Sequence, residues 1–259
     1  MKTAAVQMNV TYSRKGENYN RAALLVGEAV ASGADTVLLP ELWDTGFCPG
    51  NPADYADEDG METKAFLASL SIRYNINIVG GSVITKKDGK FYNTCYVFNK
   101  AGHLEAEYDK THLFSPLGED EKFEKGKSLS TFYLDGIKCG ILLCYDLRFP
   151  ETARTLALEG VEVLFVSTFW PKERSTALLI FARSRAIENE MFVVLSSAVG
   201  KTPLVEGAGY STIYGPSGEK LAKTDGDEAV IVAPIDEELL RTARESIPVF
   251  RDRRTELYR

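Results

Sequence analysis

Cys144 stands where an apolar run stops and a charged turn begins, in Gly140-Ile141-Leu142-Leu143-Cys144-Tyr145-Asp146-Leu147-Arg148-Phe149-Pro150-Glu151. A thiol on a strand-to-helix turn sits at a sheet edge and is available as a nucleophile. The positive end of the following helix favours thiolate over thiol. Taken alone, one cysteine reads more readily as a buried structural thiol. Two further residues share its context. Glu41 lies just past the apolar run Thr36-Val37-Leu38-Leu39-Pro40, and Lys110 just past Leu104-Glu105-Ala106-Glu107-Tyr108-Asp109. In open α/β sheets the crevice beyond the carboxyl ends of strands is where ligands bind. A carboxylate, an ammonium and a thiol delivered there can carry out acyl transfer. In a dry site the carboxylate takes the thiol proton, and the ammonium stabilises first the thiolate and then an oxyanion. The backbone N–H of Tyr145, next after the thiol, is a candidate second oxyanion donor. The chain has only two histidines, His103 and His112, so a Cys–His pair has few ways to exist. His103 falls in a hairpin-turn context. His112 follows Lys110 closely enough to line a site, although a structural or incidental role is the simpler reading.

These residues need a scaffold of buried strands. Short apolar strands are expected at 4–10, 36–39, 77–85, 95–99, 103–108, 137–143, 163–167, 192–197, 211–214 and 229–234, separated by turns such as Lys87-Asp88-Gly89-Lys90. The 137–143 run is apolar enough to be buried on both faces. Four helical patterns lie between the strands. Ala22, Leu25, Val26, Ala29 and Val30 repeat at helical spacing, as do Phe66, Leu67, Leu70 and Tyr74. A third helix begins at Pro150, a residue suited to a first turn. A fourth covers 175–190, with Leu178, Phe181, Ala182 and Ala186 on one face. Two helix pairs, one per half of the chain, predict two face-to-face mixed sheets with a helix pair on each outer face, an α-β-β-α sandwich. No Pro/Gly/Ser-rich linker divides 1–259, which reads as one domain.

Composition narrows the function classes. The net charge of −7 argues against nucleic acid as a partner, since that affinity rests on basic patches. Arg251, Arg253 and Arg254 alternate with Asp252 and Glu256 and read as an ion-paired segment. No apolar run approaches the ~20 residues that span a bilayer. Met1-Lys2-Thr3 leads directly into Ala4-Ala5-Val6 without a signal-peptide pattern. A cytoplasmic protein acting on a small molecule is expected, with no membrane partner. Of the four cysteines (Cys48, Cys95, Cys139, Cys144), none forms a CxxC pair, and no Cys/His cluster has zinc-ligand spacing. Neither a metal nor another cofactor is expected.

Pro40-Glu41, Tyr108-Asp109-Lys110-Thr111-His112-Leu113-Phe114 and the segment around Cys144 resemble the Glu, Lys and Cys motifs of the nitrilase superfamily of carbon–nitrogen hydrolases. Their order and separations match over nearly the whole chain. Ala4-Ala5-Val6-Gln7-Met8 resembles the family's first strand, and Arg183-Ser184-Arg185-Ala186-Ile187-Glu188-Asn189 its later helix. Ile247-Pro248-Val249-Phe250-Arg251-Asp252-Arg253-Arg254 resembles the segment that crosses toward a partner subunit. The resemblance implies the α-β-β-α sandwich, doubled into a homodimer. It implies Glu41 as general base and then acid, Lys110 as oxyanion holder, and Cys144 as the residue that forms a thioester. It further implies Glu119, in Gly118-Glu119, as a second glutamate that positions substrate; a solvated acidic loop with Glu121 and Glu124 is the alternative.

Cys144-Tyr145-Asp146-Leu147-Arg148-Phe149-Pro150-Glu151 is most similar to the omega-amidase branch, which releases ammonia from the terminal amides of 2-oxoglutaramate and 2-oxosuccinamate. Trp170-Pro171-Lys172-Glu173-Arg174 resembles bacterial members of that branch. Such substrates carry a carboxylate, which suits a bidentate guanidinium. Arg174 reads equally as that anchor or as a surface arginine paired with Glu173, and Trp170 equally as a pocket wall or core filler. Asp146 and Arg148 are expected to fix the turn by side-chain-to-backbone hydrogen bonds. Phe47, Cys48 and Tyr55 lie in a loop placed to shape specificity. The alternatives are an N-carbamoyl, aliphatic amide or nitrile hydrolase using the same three residues, a low-turnover binding protein, and a redox thiol protein. Cys139 lies five residues before Cys144 on one strand, so it is expected to point to the opposite face.

Overall fold

The computed structural model describes residues 1–47 and 50–258. Cys48 lies outside them. In chain order the elements are β1 (Lys2–Gln7), α1 (Lys15–Ala31), β2 (Thr36–Leu38), β3 (Asp57–Glu58), α2 (Met61–Tyr74), β4 (Asn77–Val79), β5 (Val83–Lys87), β6 (Lys90–Phe98) and β7 (Leu104–Asp109). The second half adds β8 (Ser130–Leu134), β9 (Ile137–Leu143), α3 (Pro150–Leu158), β10 (Val163–Thr168), α4 (Ser175–Asn189), β11 (Phe192–Ser197), β12 (Thr212–Tyr214), β13 (Lys220–Lys223), β14 (Ala229–Pro234) and α5 (Glu237–Ser246). One mixed sheet runs β14-β1-β2-β4-β6-β5-β3, with β7 also paired to β6; the other runs β13-β12-β11-β10-β9-β8.

Strand alternation sorts the side chains into three apolar interfaces. Ala4 and Val6 of β1 pack under α1 and α2, beside Leu25, Val26 and Leu67. Ala5 between them faces the second sheet, with Leu38 and Val79 against Ile141, Leu143 and Phe165. On the far side of the second sheet, Leu142, Leu164 and Leu195 pack against Leu156, Leu178 and Ala182 of α3 and α4. Three apolar interfaces make four layers, so the α-β-β-α sandwich expected from the helix pairs is the observed architecture. Cys139 lies between the sheets and Cys144 on the helix side, as their odd spacing requires.

Three departures from the sequence reading bear on the site. The single strand expected over 77–85 is broken into β4 and β5 at Gly80-Gly81. Gly81 has φ +63°, and a Cβ there would stand 2.0 Å from the Pro40 carbonyl oxygen. The break lets the chain cross closely beneath the residue that precedes Glu41. Strand β6 begins at Lys90 rather than 95, which brings Asn93 into the sheet. Finally, a 3-10 turn, Cys144–Arg148, separates the thiol from α3, so the nucleophile does not cap that helix. Helix α5 went unread because its apolar stripe is narrow: Leu240 and Ala243 turn inward among charged neighbours.

Candidate active site

Strand direction assembles the site. β2 runs parallel to β4, β4 antiparallel to β6, and β6 antiparallel to β7. The carboxyl ends of β2 and β7 therefore share one edge with the amino half of β6. Glu41, Lys110 and Asn93 meet there. In the second sheet β9 and β10 are parallel, and their carboxyl ends bring Cys144 and Phe169 to the same place. Among the contacts that join the sheets at this edge, two touch the strand that leads to Glu41 or Glu41 itself. Ser167 Oγ donates to the Leu39 carbonyl at 2.8 Å, and the Phe169 N–H donates to Glu41 Oε2 at 2.8 Å.

Glu41, Lys110 and Glu119 are fully buried and Cys144 is 6% exposed. Lys110 Nζ lies 2.7 Å from Glu41 Oε1, 2.9 Å from Glu119 Oε1 and 2.8 Å from Glu119 Oε2. Glu119 Oε2 also accepts the Phe114 N–H at 2.6 Å. Asn93 Nδ2 donates to Glu41 Oε1 at 3.0 Å and to Glu119 Oε1 at 3.1 Å. Glu119 is thus no solvated loop residue; it is locked into the cluster. Cys144 has φ +45°, a strained region for a side-chain-bearing residue that recurs at functional turns.

The electrostatics follow from burial. Desolvation pushes the Cys144 thiol well above its ordinary value; the Glu41 charge adds to this and Lys110 opposes it. The resting sulfur is therefore a thiol that needs a base. This reverses the expectation that a helix end favours thiolate, because burial and the Glu41 charge dominate. Burial alone would lower Lys110, but Glu119 and Glu41 outweigh it and hold the ammonium well above its usual range. Burial raises the Glu119 carboxyl, with Lys110 opposing.

The cavity beside Cys144 is lined by Phe47, Phe114, Leu117, Tyr145, Phe169, Trp170, Pro171 and Val205, with Arg148 and Arg174 as its charged groups. Its volume, open mouth included, is about 310 Å3. Arg174, in its lining, is exposed. Trp170 walls the pocket and also donates from Nε1 to the Arg174 carbonyl at 3.0 Å, fixing that turn. The Arg148 guanidinium lies 5.1 Å from the Trp170 ring, and that of Arg174 5.7 Å from the Phe114 ring. Among the described residues neither guanidinium has an ion-pair or side-chain hydrogen-bond partner. Arg148 thus departs from its expected role of pinning the turn.

Asp146 does fill that role. Its carboxylate accepts from the Leu143 N–H at 3.0 Å, Tyr108 Oη at 2.7 Å, Thr111 Oγ1 at 2.9 Å and the His112 N–H at 2.9 Å. It ties the lysine-bearing loop to the nucleophile turn. His112 belongs to this network, with its ring stacked on Phe149 at 3.9 Å, and does not line the pocket. Asn93 was missed from sequence, although Phe91, Tyr92 and Thr94 around it are good strand formers. The Phe169 and Phe114 N–H groups are invisible to any reading of side-chain types. Burial pushes the Cys95 and Cys139 thiols up. No cluster of three or more metal-ligating side chains occurs among the described residues.

A family model described as carbon-nitrogen hydrolase matches residues 2–245. The chain is 38% identical to the 2-oxoglutaramate amidase of Bacillus subtilis strain 168, over 98% of each protein. It is 33% identical to the human omega-amidase NIT2, over 98% of this chain and 95% of that protein. Among solved structures, Saccharomyces cerevisiae Nit3, described as a member of branch 10 of the nitrilase superfamily, superposes with a TM-score of 0.91 at 27% identity. That match covers 98% of this chain and 96% of the other.

Proposed function

The chain belongs to the carbon-nitrogen hydrolase family, whose members cleave carbon–nitrogen bonds other than peptide bonds, and from that premise we propose that it is an omega-amidase. Its substrate would be the terminal amide of a small carboxylated compound such as 2-oxoglutaramate, released as acid and ammonia. One observation carries this reading. A thiol backed by a buried ammonium–carboxylate pair lines an apolar pocket whose two guanidiniums have no anionic partner among the described residues. A substrate carboxylate supplies that partner, with Arg148 as the anchor because it lines the cavity from the nucleophile's own turn.

The chemistry runs through these residues in order. Glu41 accepts the Cys144 proton as sulfur attacks the amide carbon. The oxyanion is held by Lys110 Nζ and the Tyr145 N–H. Two of the Lys110 contacts go to Glu119, so one can be released to the oxyanion while the other keeps the ammonium anchored. Protonated Glu41 then gives its proton to the leaving nitrogen, the C–N bond breaks, and ammonia departs from a Cys144 thioester. Glu41 next deprotonates a water, which attacks the thioester and frees the acid and the thiol. Among the described residues no helix is long and apolar enough to cross a membrane. Cytoplasmic operation as a homodimer accompanies the proposal. Leu158, Ile180 and Ile187, exposed on the α3–α4 layer, support the dimer, which light scattering tests by mass. The functional test is ammonia release from 2-oxoglutaramate in a panel with N-carbamoyl compounds, aliphatic amides and nitriles. The proposal requires the highest kcat/KM on the carboxylated amide; faster turnover of an uncharged amide or a nitrile would sink it.

A further inference from the structure

Two glutamates sit against the same lysine in the same dry cavity, and side-chain type alone does not say which of them takes the thiol proton. A carboxylate offers about four lone-pair sites, two per oxygen. On Glu119 all four are filled. Oε1 accepts from Lys110 and Asn93, and Oε2 accepts from Lys110 and the Phe114 N–H. On Glu41, among the described residues, three are filled. Oε1 accepts from Lys110 and Asn93, and Oε2 accepts from the Phe169 N–H. The remaining vacancy is on Glu41 Oε2. Lys110 makes this difference by giving two contacts to Glu119 and one to Glu41; Asn93 gives one hydrogen of its Nδ2 to each glutamate, and the one on Glu119 fills that carboxylate's fourth site.

We propose that Asn93 is a positioning residue that assigns the base role to Glu41, by filling the last acceptor site of Glu119 and directing the thiol proton to Glu41 Oε2. The inference rests on the proposed roles of Glu41 and Cys144 and deepens them. Asn93 is buried, and among the described residues its Oδ1 has no hydrogen-bond partner. Folding alone gives no reason to leave a buried carbonyl unpaired. The opposite orientation of the amide would aim Oδ1 at two carboxylates, so the observed one is set by the cluster. The titratable groups facing Asn93 across this cluster are Glu41, Glu119, Lys110 and Cys144. Burial raises the Glu119 carboxyl, so a proton lost to Glu119 is a real competitor. Without Asn93, Glu119 Oε1 and Glu41 Oε1 each regain a vacant site, so Glu119 is no longer saturated and the two carboxyls can share a proton that the thiol then cannot deliver.

The test compares wild type with Asn93→Leu, of similar size without donors, and with Asn93→Ser, which keeps one donor and folds if the leucine does not fit. The first readout needs no substrate: the rate of Cys144 alkylation by iodoacetamide against pH, followed by peptide mass. Its acidic limb is expected to move to higher pH by about one unit, since losing a donor to a carboxylate favours its protonated form. The smaller shift is expected in Asn93→Ser. The second readout is turnover of 2-oxoglutaramate: kcat is expected to fall about 10- to 100-fold with KM changed less than about threefold. Alkylation profiles that superimpose on wild type overturn the proposal, as does a loss confined to KM or to melting temperature. If wild type fails to hydrolyse 2-oxoglutaramate, the functional reading fails, while the alkylation profile still decides the role of Asn93.

Discussion

At the scale of single residues, the site separates groups that react from groups that hold. Cys144→Ala is expected to lower ammonia release by at least about 10³-fold. It should leave the melting temperature near wild type, because the thiol leaves no charge unpaired; activity and thermal unfolding measured on one preparation check both. Lys110→Met should behave differently. It strands two buried carboxylates, and breaking a buried ion pair from one side costs about 3–5 kcal/mol. Activity and unfolding free energy should therefore fall together, and a Lys110→Met protein as stable as wild type would contradict the buried pairing. Arg148→Ala is expected to raise KM for 2-oxoglutaramate about 10- to 100-fold while changing KM for an uncharged aliphatic amide little, since a charge-assisted contact is lost only with the anionic substrate. Equal effects on both substrates would mean that Arg148 shapes the pocket through its packing on Trp170 instead of binding charge.

At the scale of elements, the site depends on how strand ends are held. Glu41 projects from a short turn after β2 that is clamped from below by the chain crossing at Gly81 and from the side by β10. Gly81→Ala would drive a Cβ into the Pro40 carbonyl, against backbone that cannot yield cheaply. It should lower kcat at least about tenfold, together with a loss of melting temperature. Gly16→Ala is the matched control. Gly16 lies in the first turn of α1, where an added methyl would meet nothing within 4 Å. It should stabilise the protein by about 0.5–1 kcal/mol through helix propensity, with kcat unchanged. Legibility varied among the elements for physical reasons. The bounds of β9, β11 and β14 agree with the sequence reading, because apolar runs flanked by turn residues mark their own ends. Strands β3, β8 and β13 went unread because they lie at sheet edges, where half-exposed residues leave a weak pattern. The same weakness hid the amino half of β6 and, with it, Asn93.

At the scale of the whole molecule, three apolar interfaces support the sandwich while a few buried charges make its stability depend on pH. Asp44, fully buried with Oδ2 unpaired among the described residues, has its carboxyl pushed up to about 7 by burial, with Lys15 opposing. The folded state therefore binds a proton that the unfolded chain, near the ordinary value of 3.8, has released. Between about pH 4 and pH 7 this group should lower stability as pH rises, by roughly 1.4 kcal/mol per unit. Asp44→Asn should flatten that slope, leaving stability near pH 4 little changed and raising it at pH 8. Urea unfolding at the two pH values measures this. A slope unchanged by the substitution would show that the buried carboxyl is not the cause.

The sequence by itself determined the residue types, the strand and helix periodicities and hence the layers, because those signals are local and repeat within a few residues. It also marked Glu41, Lys110 and Cys144, since each ends an apolar run. The tertiary structure alone decided how these groups are held. Asn93 bonds Glu41 across 52 residues of chain, Lys110 bonds it across 69, and the Phe169 N–H bonds it across 128. Backbone donors and an amide's orientation leave no trace in composition. They acquire meaning only where antiparallel β6 brings its amino half beside the carboxyl ends of β2 and β7, and where burial makes each remaining lone pair count.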